Sequence, residues 1–388
     1  MTNEYPTVSD APDQTAQRIV LYRGALEFAE RQVRALVRRT PDFFPLYSTG
    51  GKWDHTGESW TDWGPGFLIG QMWLFYDETS EHAWRETAER YCRLIEPRKN
   101  DRDVHDLGFL FLNSYLKWYQ HSEDHAHRQV VIDAGRTLAM RFQQKGGYLC
   151  SFLGPASLFV DIMMNVPLVF YAGREARDRP LTDLALQHCL TSRQRLVRDD
   201  GSTAHEAIFD TETGEFLRQS TQQGYAPESC WSRGLAWATY GFATAYGYTG
   251  RTEFLATAEK CAAYYLDNVS SGGVPYWDFN APGGAAPDGT GPLYDSSAAA
   301  IVASALFNLA ALDAATGARQ RYRELALGIL DTLASDRYLA RGDADWEGVL
   351  KHGVYHVHKG LGVDESVIWG DFFFVEALTK ALDLLDTE

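Results

Sequence analysis

Two carboxylates stand where carboxylates are costly. Asp161 is the one charged residue in "SLFVDIMMNVPLVF", between Leu158, Phe159, Val160 and Ile162, Met163. An ionised carboxylate among such neighbours needs a partner, hydrogen bonds or a proton. Desolvation raises its pKa and suits a proton donor; a buried helix cap satisfied by backbone amides would lower it. Asn165 follows four residues on and shares that helix face. Pro167 either kinks the helix or marks a start near residues 165–166. Asp106, in "DVHDLGFLF", lies where a loop turns into a helix, and its spacing reads as an N-cap. Asp295 in "LYDSSAAA" and Asp371 in "WGDFFF" occupy equivalent junctions and share that capping reading. A pair of carboxylates at helix mouths is the minimum equipment for glycosidic bond chemistry.

Other side chains fit a sugar acid. Arg233 in "CWSRGLAWATYG" opens a helix in a crowded position and needs an anion. That anion is either a protein carboxylate such as Glu228 or the carboxylate of a substrate, held in bidentate fashion. His205 and Gln223, in the same long connection, can supply hydrogen bonds to sugar hydroxyls. Trp53, Trp60, Trp63, Tyr148, Tyr225, Trp231, Tyr276, Trp277 and Trp346 all fall in long loops. They either stack on pyranose faces or pack the loops that carry them. Histidines cluster in "HSEDHAH" and "HGVYHVHKG", but no HExxH, cysteine cluster or carboxylate set at metal-ligand spacing accompanies them, so no metal is expected. Nucleotide-binding glycine motifs and a GxSxG elbow are missing, and no cofactor is expected.

Helical periodicity supplies the elements that would hold these residues. In "RIVLYRGALEFAERQVRALVRR", Tyr22, Ala25, Leu26, Ala29, Val33 and Leu36 share one face. Twelve such segments are expected, near 14–40, 66–78, 80–96, 106–121, 124–143, 158–173, 178–197, 231–247, 251–268, 295–313, 317–334 and 370–386. Short polar turns such as "DETS", "HSED" and "YTGR" alternate with long connections rich in Gly, Trp, Tyr and Asp. In a stack of helical hairpins, alternate connections emerge at the same end. The spacing therefore predicts an all-α chain, an (α/α)6 barrel of six hairpins with every long loop on one face. Function belongs on that face. Strands should be few, with "GGVPYWDF" and "GVYHVHKG" as candidate hairpins. Residues 1–388 read as a single catalytic domain with residues 1–13 a flexible tail.

Composition narrows the partners. The 388 residues carry a net charge of −16 and no basic run, which argues against nucleic acid and anionic membrane surfaces. Five widely spaced cysteines, Cys92, Cys150, Cys189, Cys230 and Cys261, read as reduced thiols of a cytoplasmic protein. The polar N-terminal stretch shows neither signal peptide nor membrane span. A monomer or homodimer is expected.

"HDLGF", "DIMMN-P", "QGY", "WSRGLAW", "DSSAAAI" and "GVDESVIWGDFFFVEAL" together resemble the unsaturated glucuronyl hydrolases of glycoside hydrolase family 88, in order from about residue 60 onward. The resemblance implies an (α/α)6 barrel, with no metal or cofactor. It implies a substrate oligosaccharide ending in a 4-deoxy-4,5-unsaturated uronic acid, as a lyase leaves it. The vinyl ether is hydrated, a proton going to C4 and water to C5. The hemiketal then opens and expels the remaining chain. By motif, Asp161 is the proton donor and water activator and Asp106 the second essential carboxylate, flanked by His105 and Phe109. Arg233 would hold the uronate carboxylate, with Trp237 one turn on. Gln223, His205, Trp60 and, from "VDESVIWG", Ser366 are the further substrate contacts it implies. Close alternatives are an unsaturated rhamnogalacturonyl-type hydrolase and another (α/α)6 glycosidase; a non-catalytic uronide-binding protein is a third.

Overall fold

A computed structural model describes residues 11–54, 62–286, 289–312 and 318–387. Among the described residues it contains thirteen α-helices: α1 (Ala11–Arg39), α2 (Pro65–Thr79), α3 (His82–Ile95), α4 (Leu107–Leu112), α5 (Tyr115–Ser122), α6 (His125–Ala139), α7 (Ile162–Glu175), α8 (Arg179–Leu196), α9 (Ser232–Thr249), α10 (Thr252–Asn268), α11 (Ser296–Ala311), α12 (Arg319–Leu333) and α13 (Ile368–Leu385). The segment expected over 106–121 is split into α4 and α5. Ser114 leaves helical geometry at φ −119°, ψ −87°, and its hydroxyl donates to Leu110 O.

Packing runs in two rings. The inner ring closes as α2–α4–α7–α9–α11–α13 and back to α2, with α1, α3, α6, α8, α10 and α12 outside. Sequence explains the division. Outer α3 is amphipathic and buries Trp84, Ala88, Tyr91, Cys92 and Ile95 along one stripe. Inner α11, "SSAAAIVASALFNLAA", is buried almost all round, and its small side chains allow close neighbours. The barrel is therefore of the (α/α)6 kind expected.

The two ends differ as the loop lengths imply. Four short turns close on a left-handed residue, Ser80 (φ 56°), Glu123 (55°), Arg177 (55°) or Gly250 (65°). The long connections all lead into the N-termini of inner helices. They carry more strand than expected. Residues 157–159, 206–209 and 216–220 form an antiparallel sheet with Leu158 opposite Ala207 and Phe159 opposite Glu206. The helix expected from 158 thus begins at Ile162, after a strand. "GVYHVHKG" enters a hairpin in which residues 353–356 pair with 361–365. "GGVPYWDF" does not form one; it makes only isolated bridges, Trp231 with Asp278 and Tyr276 with Tyr294.

Candidate active site

A pocket opens among the long loops at the inner-ring mouth. Asp106 and Asp161 line it from the starts of α4 and α7, Arg233 from α9, Gln222 and Gln223 from the 197–231 connection, and Tyr355 and His356 from the hairpin. Trp63, Phe109, Phe152 and Phe159 complete its walls.

The strand-to-helix junction sets Asp161. Val160 N–H donates to His205 O at 2.9 Å, which ties the end of one strand to the start of its neighbour. The chain then turns into α7, whose first amides bond to Val160 O and Asp161 O. Asp161 stands at the N-cap position but its side chain does not cap. Pro167 lies inside α7. The carbonyl it leaves unbonded in the ladder, that of Met163, faces Gly241 of α9; a Cβ there would come within 2.6 Å of that oxygen. The helix is neither started nor ended by the proline.

Burial pushes the Asp161 carboxyl up to about 7; Arg233 opposes the shift and Asp106 adds to it. Its Oδ2 is enclosed, with no hydrogen-bond partner among the described residues, and His205 Nε2 lies 3.5 Å from it. The side chain as a whole is 14 % exposed, on the pocket side. His205 Nδ1 accepts backbone N–H groups from Gln222 (3.1 Å) and Gln223 (3.2 Å), so the ring proton is on Nε2, facing Asp161. Burial holds His205 neutral, well below the usual imidazole range.

Asp106 repeats the motif. His105 Nδ1 accepts the N–H of Phe152 at 3.1 Å, and its Nε2 lies 3.3 Å from Asp106 Oδ1. Burial lowers the His105 pKa to about 3. Asp106 occupies the N-cap position of α4, yet its side chain makes no capping bond. The amide it would cap, Phe109 N–H, donates instead to Asn165 Oδ1 at 2.9 Å.

Arg233 is buried and pairs with Asp295 Oδ2 at 3.6 Å, not with exposed Glu228. Its guanidinium lies between Trp231 (4.3 Å) and Trp369 (4.9 Å) and donates to Val354 O, Tyr355 O and Gln223 Oε1. Its outlet to the pocket is shared with Gln223. Asp295 caps α11 as expected, accepting Ser297 N–H and Oγ–H. Asp371 does not cap; it lies inside α13 and accepts Val349 and Leu350 N–H, both at 2.9 Å.

Several expected contacts stand elsewhere. Trp237 lies below Phe109 and is 1 % exposed, so Phe109, not Trp237, forms the floor. Ser366 is buried outside the pocket, where it accepts from Trp346 Nε1 and donates to Leu350 O. His205 backs Asp161 and is not part of the lining. Trp60 lies outside the described residues. Of the other eight loop aromatics only Trp63 lines the pocket. Trp53, Tyr148, Trp231 and Trp277 are buried and pack the loops. Tyr355 and His356 were not foreseen as site residues. Their signal was the hairpin pattern of "GVYHVHKG", read for metal ligation and not for a wall. His358 turns to Gly224 O at 2.8 Å, and burial lowers His356 to about 4.

Residues 47–308 match the family model described as Glycosyl Hydrolase Family 88. An "Unsaturated glucuronyl hydrolase" of Bacillus sp. (strain GL1) is 35% identical over 89% of this chain and 92% of its own length. An "Unsaturated chondroitin disaccharide hydrolase" of Streptococcus pneumoniae is 33% identical over 82% of each. The crystal structure of the Bacillus sp. GL1 enzyme superposes with a TM-score of 0.85 over 92% of this chain and 96% of that one. A heparin-specific unsaturated glucuronyl hydrolase, 28% identical, reaches the same TM-score over 94% and 97%.

Proposed function

The chain belongs to glycosyl hydrolase family 88, and on that footing we propose that it is an unsaturated glucuronyl hydrolase. It releases a 4-deoxy-4,5-unsaturated uronic acid from the non-reducing end of lyase-generated oligosaccharides. The observation that carries the reading is the Asp161 carboxyl, open to the pocket on one side and raised to about 7 by burial. At neutral pH it is present both as an acid and as a base, as one group that donates a proton and later accepts one requires.

The histidine behind it gives the proton a direction. His205 turns its Nε2–H toward the enclosed Oδ2, at 3.5 Å, which leaves the acid proton to Oδ1, on the pocket side. In the reaction that proton passes to C4 of the ring double bond. Water, losing a proton to the Asp161 carboxylate, adds at C5. The C5 hemiketal opens, and C1 then expels the leaving sugar as its alcohol. Asp106, held beside His105, is suited to stabilise the positive charge that develops between C5 and the ring oxygen. Arg233 with Gln223 is the candidate anchor for the uronate carboxylate, and Trp63, Phe109, Phe152 and Phe159 exclude water from the rest of the ring.

No described helix is long and apolar enough to cross a membrane. All five cysteines are buried and unpaired, which suits a reducing cytoplasm, where the protein would act as a monomer or homodimer. The relatives' names span chondroitin and heparin fragments, so the shared element is the unsaturated uronic acid. The test is to follow the ultraviolet absorbance of the enol ether with a panel of unsaturated disaccharides. Absorbance should be lost with at least one; an unchanged signal across chondroitin, hyaluronan, heparin, alginate, gellan and ulvan fragments overturns the assignment.

A further inference from the structure

Asp106 sits where helix chemistry would ordinarily consume its carboxylate. An aspartate at the N-cap accepts the N–H of the second or third helical residue. In α4 those are Gly108 and Phe109, but Phe109 N–H is already taken by Asn165 Oδ1 at 2.9 Å. Asn165 belongs to α7, one turn beyond Asp161, and its Nδ2–H donates to Asp161 O at 3.1 Å. The two bonds fix which end of the amide faces which helix. The side chain is fully buried.

The approach is built for this bond. A Cβ on Gly108 would fall 2.4 Å from Asn165 Cα and 2.8 Å from Asn165 Oδ1, so only glycine lets α4 come this close to α7. Pro167, two residues past Asn165, lies in the same stretch of α7.

We propose that Asn165 is a positioning residue that caps α4 in place of Asp106, and so keeps the Asp106 carboxylate turned to the substrate. The inference rests on the glucuronyl hydrolase reading for its kinetic consequence, and on geometry alone for its structural one. Without the Asn165 acceptor, Phe109 N–H is left buried and unbonded beside an aspartate whose position suits it for the task. Orphaned buried amides are rare and costly. Asp106 then rotates onto Phe109 N–H and leaves the pocket.

The experiment is a double-mutant cycle between Asn165→Ala and Asp106→Asn, with kcat referred to folded protein. We expect Asn165→Ala to lower kcat at least tenfold while KM changes less than threefold. Adding Asp106→Asn should then cost far less than it does in the wild type, because the carboxylate is already withdrawn. Gly108→Ala, which forces Asn165 off Phe109 from the other side, is a second route to the same lesion should Asn165→Ala fail to fold. A crystal structure of either variant should place an Asp106 oxygen within hydrogen-bond reach of Phe109 N. Additive costs, or an Asp106 carboxylate unmoved, overturn the proposal. Wild-type inactivity on every unsaturated disaccharide would instead overturn the functional reading, and the crystal structure would still decide the capping.

Discussion

Four aspartates lie at the starts of inner helices, and they divide into two pairs. Asp295 and Asp371 face the loops of the 353–365 hairpin and the chain before it. Both accept from neighbouring backbone or hydroxyl groups: Ser297 N–H and Oγ–H and, at 3.4 Å, Val354 N–H for Asp295, Val349 and Leu350 N–H for Asp371. Asp106 and Asp161 face the pocket, and neither caps its own helix. Each has instead a neutral histidine whose Nδ1 is occupied by backbone N–H and whose Nε2 is turned to the carboxylate. Titration does not separate Asp371 from Asp161, since burial raises both carboxyls to about 7. What separates them is the direction of the donors. A carboxylate braced by amides builds the wall; one backed by a histidine leaves its own helix uncapped and lines the pocket.

The largest expected effect breaks the pairs apart. Asp161→Asn should lower kcat by about a thousandfold, the scale of a lost general acid, and leave disaccharide binding within a few-fold. Asp371→Asn removes charge from an equally buried site. It should cost about 1–3 kcal/mol in urea unfolding and leave kcat per folded molecule within about threefold of wild type. Equal kinetic losses would erase the distinction drawn above.

A second test uses pH. Asp161 must be protonated to donate, so kcat should fall as pH rises through about 7, the value that burial imposes. Asp371→Asn should leave that limb in place although it removes a carboxyl of similar pKa.

The smallest effect is thermal. Raised above its unfolded value of 3.8, the Asp161 carboxyl favours the folded state when protonated and penalises it when ionised. The penalty is absent below the unfolded pKa and complete above about 7. Asp161→Asn should therefore raise the melting temperature at pH 8 by a few degrees and hardly change it at pH 4. An equal rise at both would mean that the group is not ionised where burial says it should be.

Much of the barrel was legible because helical periodicity and loop length are local patterns. The alternation of short turns with long aromatic loops placed the long connections, and the pocket among them, at one end of the barrel, and Asp295 capped as its spacing required. Failures came where a partner distant in sequence decides. "SLFVD" reads as the beginning of a helix, but Leu158 and Phe159 pair with residues 206–207 and are strand. Ser114 broke a continuous apolar run with a single hydroxyl bond to Leu110 O, for which no local pattern gives warning. For the loop aromatics the sequence leaves stacking and packing both open; Trp231 and Trp277 are buried and pack the loops. For Arg233 the sequence offers a protein carboxylate near at hand, such as Glu228, or a substrate's; the protein carboxylate it meets, Asp295, lies 62 positions away. Asn165 was noticed for its spacing from Asp161; its bond to Phe109 was invisible.

The parallel arrangement of the inner ring has an electrical consequence. All six inner helices point their amide ends at the mouth, each equivalent to roughly half a positive charge. The outer helices run the other way, so at long range the two rings cancel and an approaching anion meets the net charge of −16. Within the pocket the inner ends are the nearer of the two, so the two rings do not cancel there as they do outside. The inner amide ends add to the Arg233 guanidinium at the mouth where Asp106 and Asp161 stand.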